Sequence, residues 1–202
     1  MKTTNLLSVL LLLIILLSCN KKEDQKPVNN PSSTEQKKFG DVGNEWHMRV
    51  MDHEMSARIV ENVDGLIKLE LTREDQIDTL LLRLKDNVIY EYVHSLGDTS
   101  KPFTLVEFGA QVGAYYEFDD GYWYFRRDVT GRESYHIECL GQHLETIAVY
   151  ENMPYGMDIP LFGCTIRTIY WYWNPVYGLV CIEIETDNCG FIEIQFISID
   201  LG

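Results

Sequence analysis

Short runs in which apolar and polar residues alternate constrain this chain more than any other feature of its sequence. Ile67, Leu69 and Leu71 alternate with Lys68, Glu70 and Thr72, which puts one set on each face of a strand. Residues 55–62 precede Val63-Asp64-Gly65 and are predicted to pair with that strand. Leu80, Leu82 and Leu84 form the next apolar face, and Asp86-Asn87 turns the chain into residues 88–93. Asp119-Asp120-Gly121 lies between residues 115–118 and 122–125 and predicts a tight hairpin, because Gly accepts the positive φ such turns need. Residues 126–132 read as a polar connection, followed by strands over 133–140 and 144–151. Pro154 and Pro160 cannot donate to a sheet ladder, so 152–163 reads as a loop or edge crossing. Strands are expected again over 165–173, 177–185 and 191–199. The alternation slips by one residue at Phe196-Ile197, the mark of a bulge or a change of sheet. No stretch sustains apolar residues at three-and-four spacing, so helix beyond the N-terminal signal and one short segment near 52–61 is expected to be small. About a dozen short strands predict an all-β domain, either an antiparallel sandwich or a strongly curved, partly closed barrel.

The N-terminus carries a different signal. Met1-Lys2 gives a short positive start, residues 6–17 form an almost unbroken apolar run, and Ser18 is the small residue before Cys19. That run is shorter than the roughly 20 residues a spanning helix needs and has the form of an export signal. Leu16-Leu17-Ser18-Cys19 resembles the lipobox of bacterial lipoproteins, and the Lys-then-acid cluster Lys21-Lys22-Glu23-Asp24 resembles the surface-export signal of Bacteroidetes lipoproteins. The resemblance implies cleavage before Cys19, lipidation of Cys19, and attachment to the outer membrane on its outer or periplasmic face. Residues 1–18 are then the signal peptide, 19–43 a flexible tether rich in Asn, Pro and Ser, and 44–202 a single ectodomain. The segment Ile169 to Val180, with Tyr170-Trp171-Tyr172-Trp173 running into Asn174-Pro175 and Gly178-Leu179-Val180, also resembles a strand-turn-strand of β-rich Bacteroidetes lipoprotein ectodomains. That likeness bears on fold and location and implies no catalytic residue.

Charge narrows the partners. The sequence holds 17 Lys and Arg against 31 Asp and Glu, a net charge of −14, which disfavours nucleic acid and anionic lipid surfaces. Membrane attachment is therefore expected through the lipid. With Cys19 lipidated, four cysteines remain: Cys139, Cys164, Cys181 and Cys189. They allow three pairings in an exported domain, with buried free thiols as the alternative. If Trp173 and Gly178 lie opposite each other, antiparallel pairing brings Cys164 near residue 187 and favours a Cys164–Cys189 bridge.

The residues offer binding chemistry more than catalysis. Tyr122, Trp123 and Tyr124 crowd one hairpin and Trp171 and Trp173 another, and in each an alternating set must face outward or into a cavity. Flat aromatic faces stack on sugars and apolar ligands, although cross-strand aromatic pairs also serve structure alone. Glu183, Glu185 and Glu193 form an acidic stripe without a calcium-loop pattern. The five histidines are scattered, and no nucleophile elbow, phosphate loop or zinc-helix motif occurs. The expectation is a non-enzymatic lipoprotein, without metal or cofactor, in a binding or envelope-assembly role. A surface glycan-binding module and a carrier of lipid or another hydrophobic ligand are the alternatives; an envelope protein is the remaining partner class.

Overall fold

A computed structural model describes residues 39–51, 53–73, 76–92, 99–119, 121, 124–154, 157–161 and 163–202. The strands are β1 (Glu45–Val50), β2 (His53–Val63), β3 (Leu66–Arg73), β4 (Gln76–Lys85), β5 (Val88–Glu91), β6 (Phe103–Glu107), β7 (Tyr115–Asp119), β8 (Tyr124–Ile137), β9 (Gln142–Asn152), β10 (Ile159–Leu161), β11 (Cys164–Asn174), β12 (Gly178–Thr186) and β13 (Gly190–Asp200). They pair in the order β6-β5-β4-β3-β2-β1-β13-β12-β11-β9-β8-β7, with β10 added beside β11. The result is an antiparallel sheet rolled into a nearly closed barrel, with one unsealed seam between β6 and β7. Of the two expected architectures the barrel is the one formed.

The alternation read from the sequence becomes an inside and an outside. Ile67, Leu69 and Leu71 of β3 face the barrel interior with Leu80 and Leu82 of β4 and Ile182 and Ile184 of β12. Lys68, Glu70, Arg49 and Arg58 belong to the opposite faces of their strands, so at these positions charge lies outside and hydrocarbon inside. A membrane-spanning barrel has the reverse pattern, an apolar band facing outward. Among the described residues no helix is long and apolar enough to cross a membrane. The slip at Phe196-Ile197 is a bulge: His47 opposes Ser198 while Met48 opposes Phe196, leaving Ile197 unpaired. It keeps Ile192, Ile194 and Phe196 pointed inward against β1 and β12.

Three expectations are corrected. Of the segment 52–61, residues 53–61 form no helix but belong to β2, whose inward Met55, Ala57 and Ile59 keep a two-residue period. Residues 126–132 are not a connection but the middle of β8, a strand of 14 residues. They read as polar because Arg127 occupies an inward position between Phe125 and Val129 and is 1 % exposed. The tether boundary also moves, since Phe39 is buried in the core although it follows a polar stretch.

Arg127 closes the barrel where the ladder of backbone hydrogen bonds does not. Its Nε donates to Glu151 Oε2 on β9 at 2.8 Å and its Nη2 to Glu91 Oε1 on β5 at 2.7 Å. Nη1 donates to the Thr104 carbonyl of β6 at 3.0 Å, and the guanidinium lies 3.9 Å over the Phe103 ring. Burial opposes this charge most strongly, but Glu151 and Glu91 outweigh it and hold the guanidinium above its ordinary pKa. Around it Phe103 of β6 packs on Phe118 of β7 and Phe125 of β8, with ring centroids 5.5 and 6.4 Å away. The Glu107 amide donates to Tyr116 Oη at 3.1 Å, and Arg132 donates to the carbonyls of Phe108 and Ala110 at 2.7 Å. Side chains thus replace the missing strand pairing. Arg127→Met is expected to lower the unfolding free energy by about 3–5 kcal/mol, because two buried carboxylates lose the cation they share. Urea denaturation measures the change, and a loss under about 1 kcal/mol would mean the cluster does not hold the seam.

Candidate functional site

The interior is not filled evenly. Around Arg127 the aromatic rings pack closely, whereas between β1–β4 and β11–β13 the lumen keeps a cavity of about 100 Å³. Its walls are Met48, Leu71, Leu80, Leu105, Trp171 and Phe196 with their neighbours, and Glu91 is the charged residue that reaches it. Such a hollow has a physical cost, since its walls lack contacts that a filled core would supply. Ala57 of β2, a small inward residue, lines it together with the Trp171 and Trp173 indoles.

One mouth of this lumen is covered by the segment that leads into β1. Phe39 is 6 % exposed, lines the cavity, and packs on Trp46 with ring centroids 5.8 Å apart. Its amide donates to the Val176 carbonyl in the β11–β12 turn at 2.8 Å, and Asn62 Nδ2 donates to the Gly40 carbonyl at 2.6 Å. Gly178 makes the seat possible. At φ 74° it holds a conformation that side chains resist, and a Cβ there would lie 2.2 Å from Phe39 Cδ2. Asn174 shapes the same turn, its Oδ1 accepting from the amides of Val176 and Tyr177 at 2.8 and 3.0 Å.

The three tryptophans of the lumen differ in polar satisfaction. Trp46 Nε1 donates to the Tyr177 carbonyl at 2.9 Å and Trp171 Nε1 to Glu151 Oε2 at 3.3 Å. Trp173 is 3 % exposed and its Nε1 has no acceptor among the described residues. A buried donor left unmade costs about 1–3 kcal/mol.

The residues singled out from the sequence are dispersed. Trp171 and Trp173 meet in the lumen, so they form no exposed platform. Tyr124 is half exposed on the outer face of the β7–β8 hairpin, where its hydroxyl donates to Glu117 and Arg126 covers Tyr115 at 4.3 Å. Cys19, Tyr122 and Trp123 lie outside the described residues. Cys164 and Cys189 are joined, with Cα atoms 5.8 Å apart. The register that brings them together runs Asn174 to Gly178 and Ile166 to Thr186, with two irregularities between that cancel. Phe39 and Ala57 were missed as site residues: a lone aromatic after a polar stretch and a small residue in a strand carry no sequence signal for a mouth or a hollow. Among the described residues no group of three or more His, Cys, Asp and Glu is arranged to hold a metal.

A second cluster sits on the outer face, where a 3-10 turn at Glu138–Leu140 carries the β8–β9 hairpin over β13. Glu183 accepts from Tyr135 Oη at 3.3 Å and from Tyr172 Oη at 3.0 Å, and the Cys181 thiol lies 3.4 Å from Tyr135 Oη. Glu193, cross-strand from Glu183, is held above the usual carboxylate range by desolvation and by that neighbour. No protein-family model, curated protein or solved structure matches the chain.

The Cys181 thiol is pushed up to about 12, chiefly by burial. Because the folded state keeps that proton, the stability it supplies is present below the thiol's ordinary value of 9.0 and is lost as pH rises through about 12. Burial raises Tyr135 and Tyr172 in the same direction. Denaturant midpoints are expected to fall across that alkaline window, and Cys181 is expected to resist alkylation in the native protein near neutral pH. Rapid alkylation without unfolding would contradict this.

Proposed function

We propose that the chain is a lipid-anchored lipoprotein of a Gram-negative outer membrane, attached through Cys19, whose barrel binds an apolar ligand in its lumen without catalysing a reaction. The observation that carries the binding reading is the apolar cavity of about 100 Å³ beneath Phe39. A cavity of roughly 150 Å³ lined by aliphatic and aromatic side chains stays dry and takes up a benzene-sized molecule, so this one suits a small apolar group or the end of a chain. The charged exterior and the net charge of −14 favour attachment through a lipid over adhesion to an anionic surface. The N-terminal sequence supports the anchor.

A second reading has one observation in its favour. Tyr115 and Tyr124, each about half exposed, share the outer face of the β7–β8 hairpin with Glu117, Arg126 and Asp128, an aromatic and polar surface of the kind that stacks on sugars. Glycan-array binding lost in Tyr124→Ala would favour it.

The lumen reading is tested with the full chain in phospholipid nanodiscs. A bromoalkane is expected to quench the tryptophans, and Ala57→Phe, which fills the cavity, is expected to weaken that quenching about tenfold. Equal quenching in both proteins would remove the lumen as the site. Metabolic labelling with palmitate tests the anchor: label is expected in the native chain and absent from Cys19→Ser, and label retained in that variant would refute lipidation at Cys19.

A further inference from the structure

We propose that the lumen takes a single short acyl chain whose carboxylate or carbonyl oxygen accepts a hydrogen bond from Trp173 Nε1, and that this chain enters by displacing Phe39. The inference rests on the reading of the lumen as a binding site and names the ligand class.

Three observations converge on it. The first is the shape of the hollow. Its walls take two successive inward residues from each of several strands, Leu69 with Leu71, Leu80 with Leu82, Trp171 with Trp173. Successive inward residues are about 7 Å apart along a strand, so about 100 Å³ spread over that depth makes a narrow slot. A slot of this form receives an unbranched chain end more readily than a fused ring system.

The second is the indole of Trp173. Indole Nε1 is a donor only, so the group that satisfies it must offer an acceptor oxygen. The other two lumen indoles already have acceptors, from Tyr177 and Glu151, and Trp173 Nε1 is the buried one without. Glu91 cannot serve the ligand's oxygen, since a carboxylate accepts and its Oε1 is engaged by Arg127. Trp173 pairs with Leu179, next to the Asn174–Gly178 pair that closes the turn at the Phe39 mouth. The polar head is thereby placed near the entrance and the hydrocarbon deeper.

The third is the way the mouth is closed. Phe39 reaches the β11–β12 turn through one backbone hydrogen bond to Val176, and Gly40 is held by one side-chain bond from Asn62. From Gly43 on, the chain is fastened to β2 through its amide to the Ile59 carbonyl, at 2.9 Å. Between these, the Asp41 carbonyl accepts from the Asn44 amide at 3.2 Å, Val42 is 56 % exposed and Gly43 has φ 94°, so the strap is seated by hydrogen bonds and packing with no strand pairing of its own. A ring that occupies the mouth lowers apparent affinity by the fraction of time it is seated.

The experiment compares an ω-brominated short-chain fatty acid with the bromoalkane of the same length, on the full chain in nanodiscs. Trp123→Phe is the background, so that Trp46, Trp171 and Trp173 alone report. The fatty acid is expected to bind more tightly than the alkane. Trp173→Phe is expected to erase that preference, weakening the acid about tenfold while leaving the alkane within about twofold. Phe39→Ala is expected to tighten both probes about tenfold. An acid preference that survives Trp173→Phe overturns the assigned hydrogen bond, and Phe39→Ala without effect overturns the strap. Quenching by neither probe in the unsubstituted lumen defeats the lumen reading itself, a distinct result. Should Trp173→Phe not fold, the indole N–H resonance of Trp173 serves instead: a downfield shift with acid and none with alkane is expected, and equal shifts overturn the proposal.

Discussion

A sheet that rolls up to hide its apolar face must still close, and here the last pair of edges is joined by a buried cation. β6 and β7 do not share a ladder, so backbone groups along both edges need other partners, since an unpaired edge invites pairing with another chain. Arg127 reaches β5, β6 and β9 from β8, and the aromatic rings of Phe103, Phe118 and Phe125 exclude water around it. One long side chain with several directed donors can do this; a Lys, with a point charge, cannot span three strands at once. The rings around Arg127 pack densely, and the cavity begins where that cluster ends, with Glu91 and Trp171 belonging to both.

Specificity of closure matters more here than net stabilisation. A buried ion pair often contributes little compared with well-packed hydrocarbon, but the Glu91–Arg127–Glu151 arrangement is satisfied only when β5, β8 and β9 stand in one register. A slip of one residue on β8 would turn Arg127 outward and bring Arg126 or Asp128 in. The same logic explains the bulge between Val129 and Gly131: beyond it, β8 no longer serves the interior, and Tyr135 and Ile137 instead pack on the outer cluster with Tyr172 and Cys181.

Much of this was legible in the residues. β3, β4, β12 and β13 announce themselves because their inward residues are aliphatic and their outward ones charged, and the Phe196-Ile197 slip marked the bulge. The Cys164–Cys189 proximity followed from antiparallel register alone, although the assumed pairing of Trp173 with Gly178 is off by one. β8 was not legible at Arg127, where burial depends on carboxylates 24 and 36 positions away. Closure into a barrel was not legible for a related reason, since it depends on how shear accumulates over many pairings. The alternation in Tyr170-Trp171-Tyr172-Trp173 separated two faces without saying which was inside; only the curvature of the whole sheet decides that the tryptophans are.

The covalent link and the aromatic cap sit at opposite ends of β11. Cys164 opens that strand and is tied to the β12–β13 turn, whereas Asn174 closes it beside the residues on which Phe39 rests. One rim is therefore welded and the other is only latched. Thermal opening of the cylinder is steered toward the latched rim, where Phe39 rests on a hydrogen bond to Val176 in place of a covalent tie.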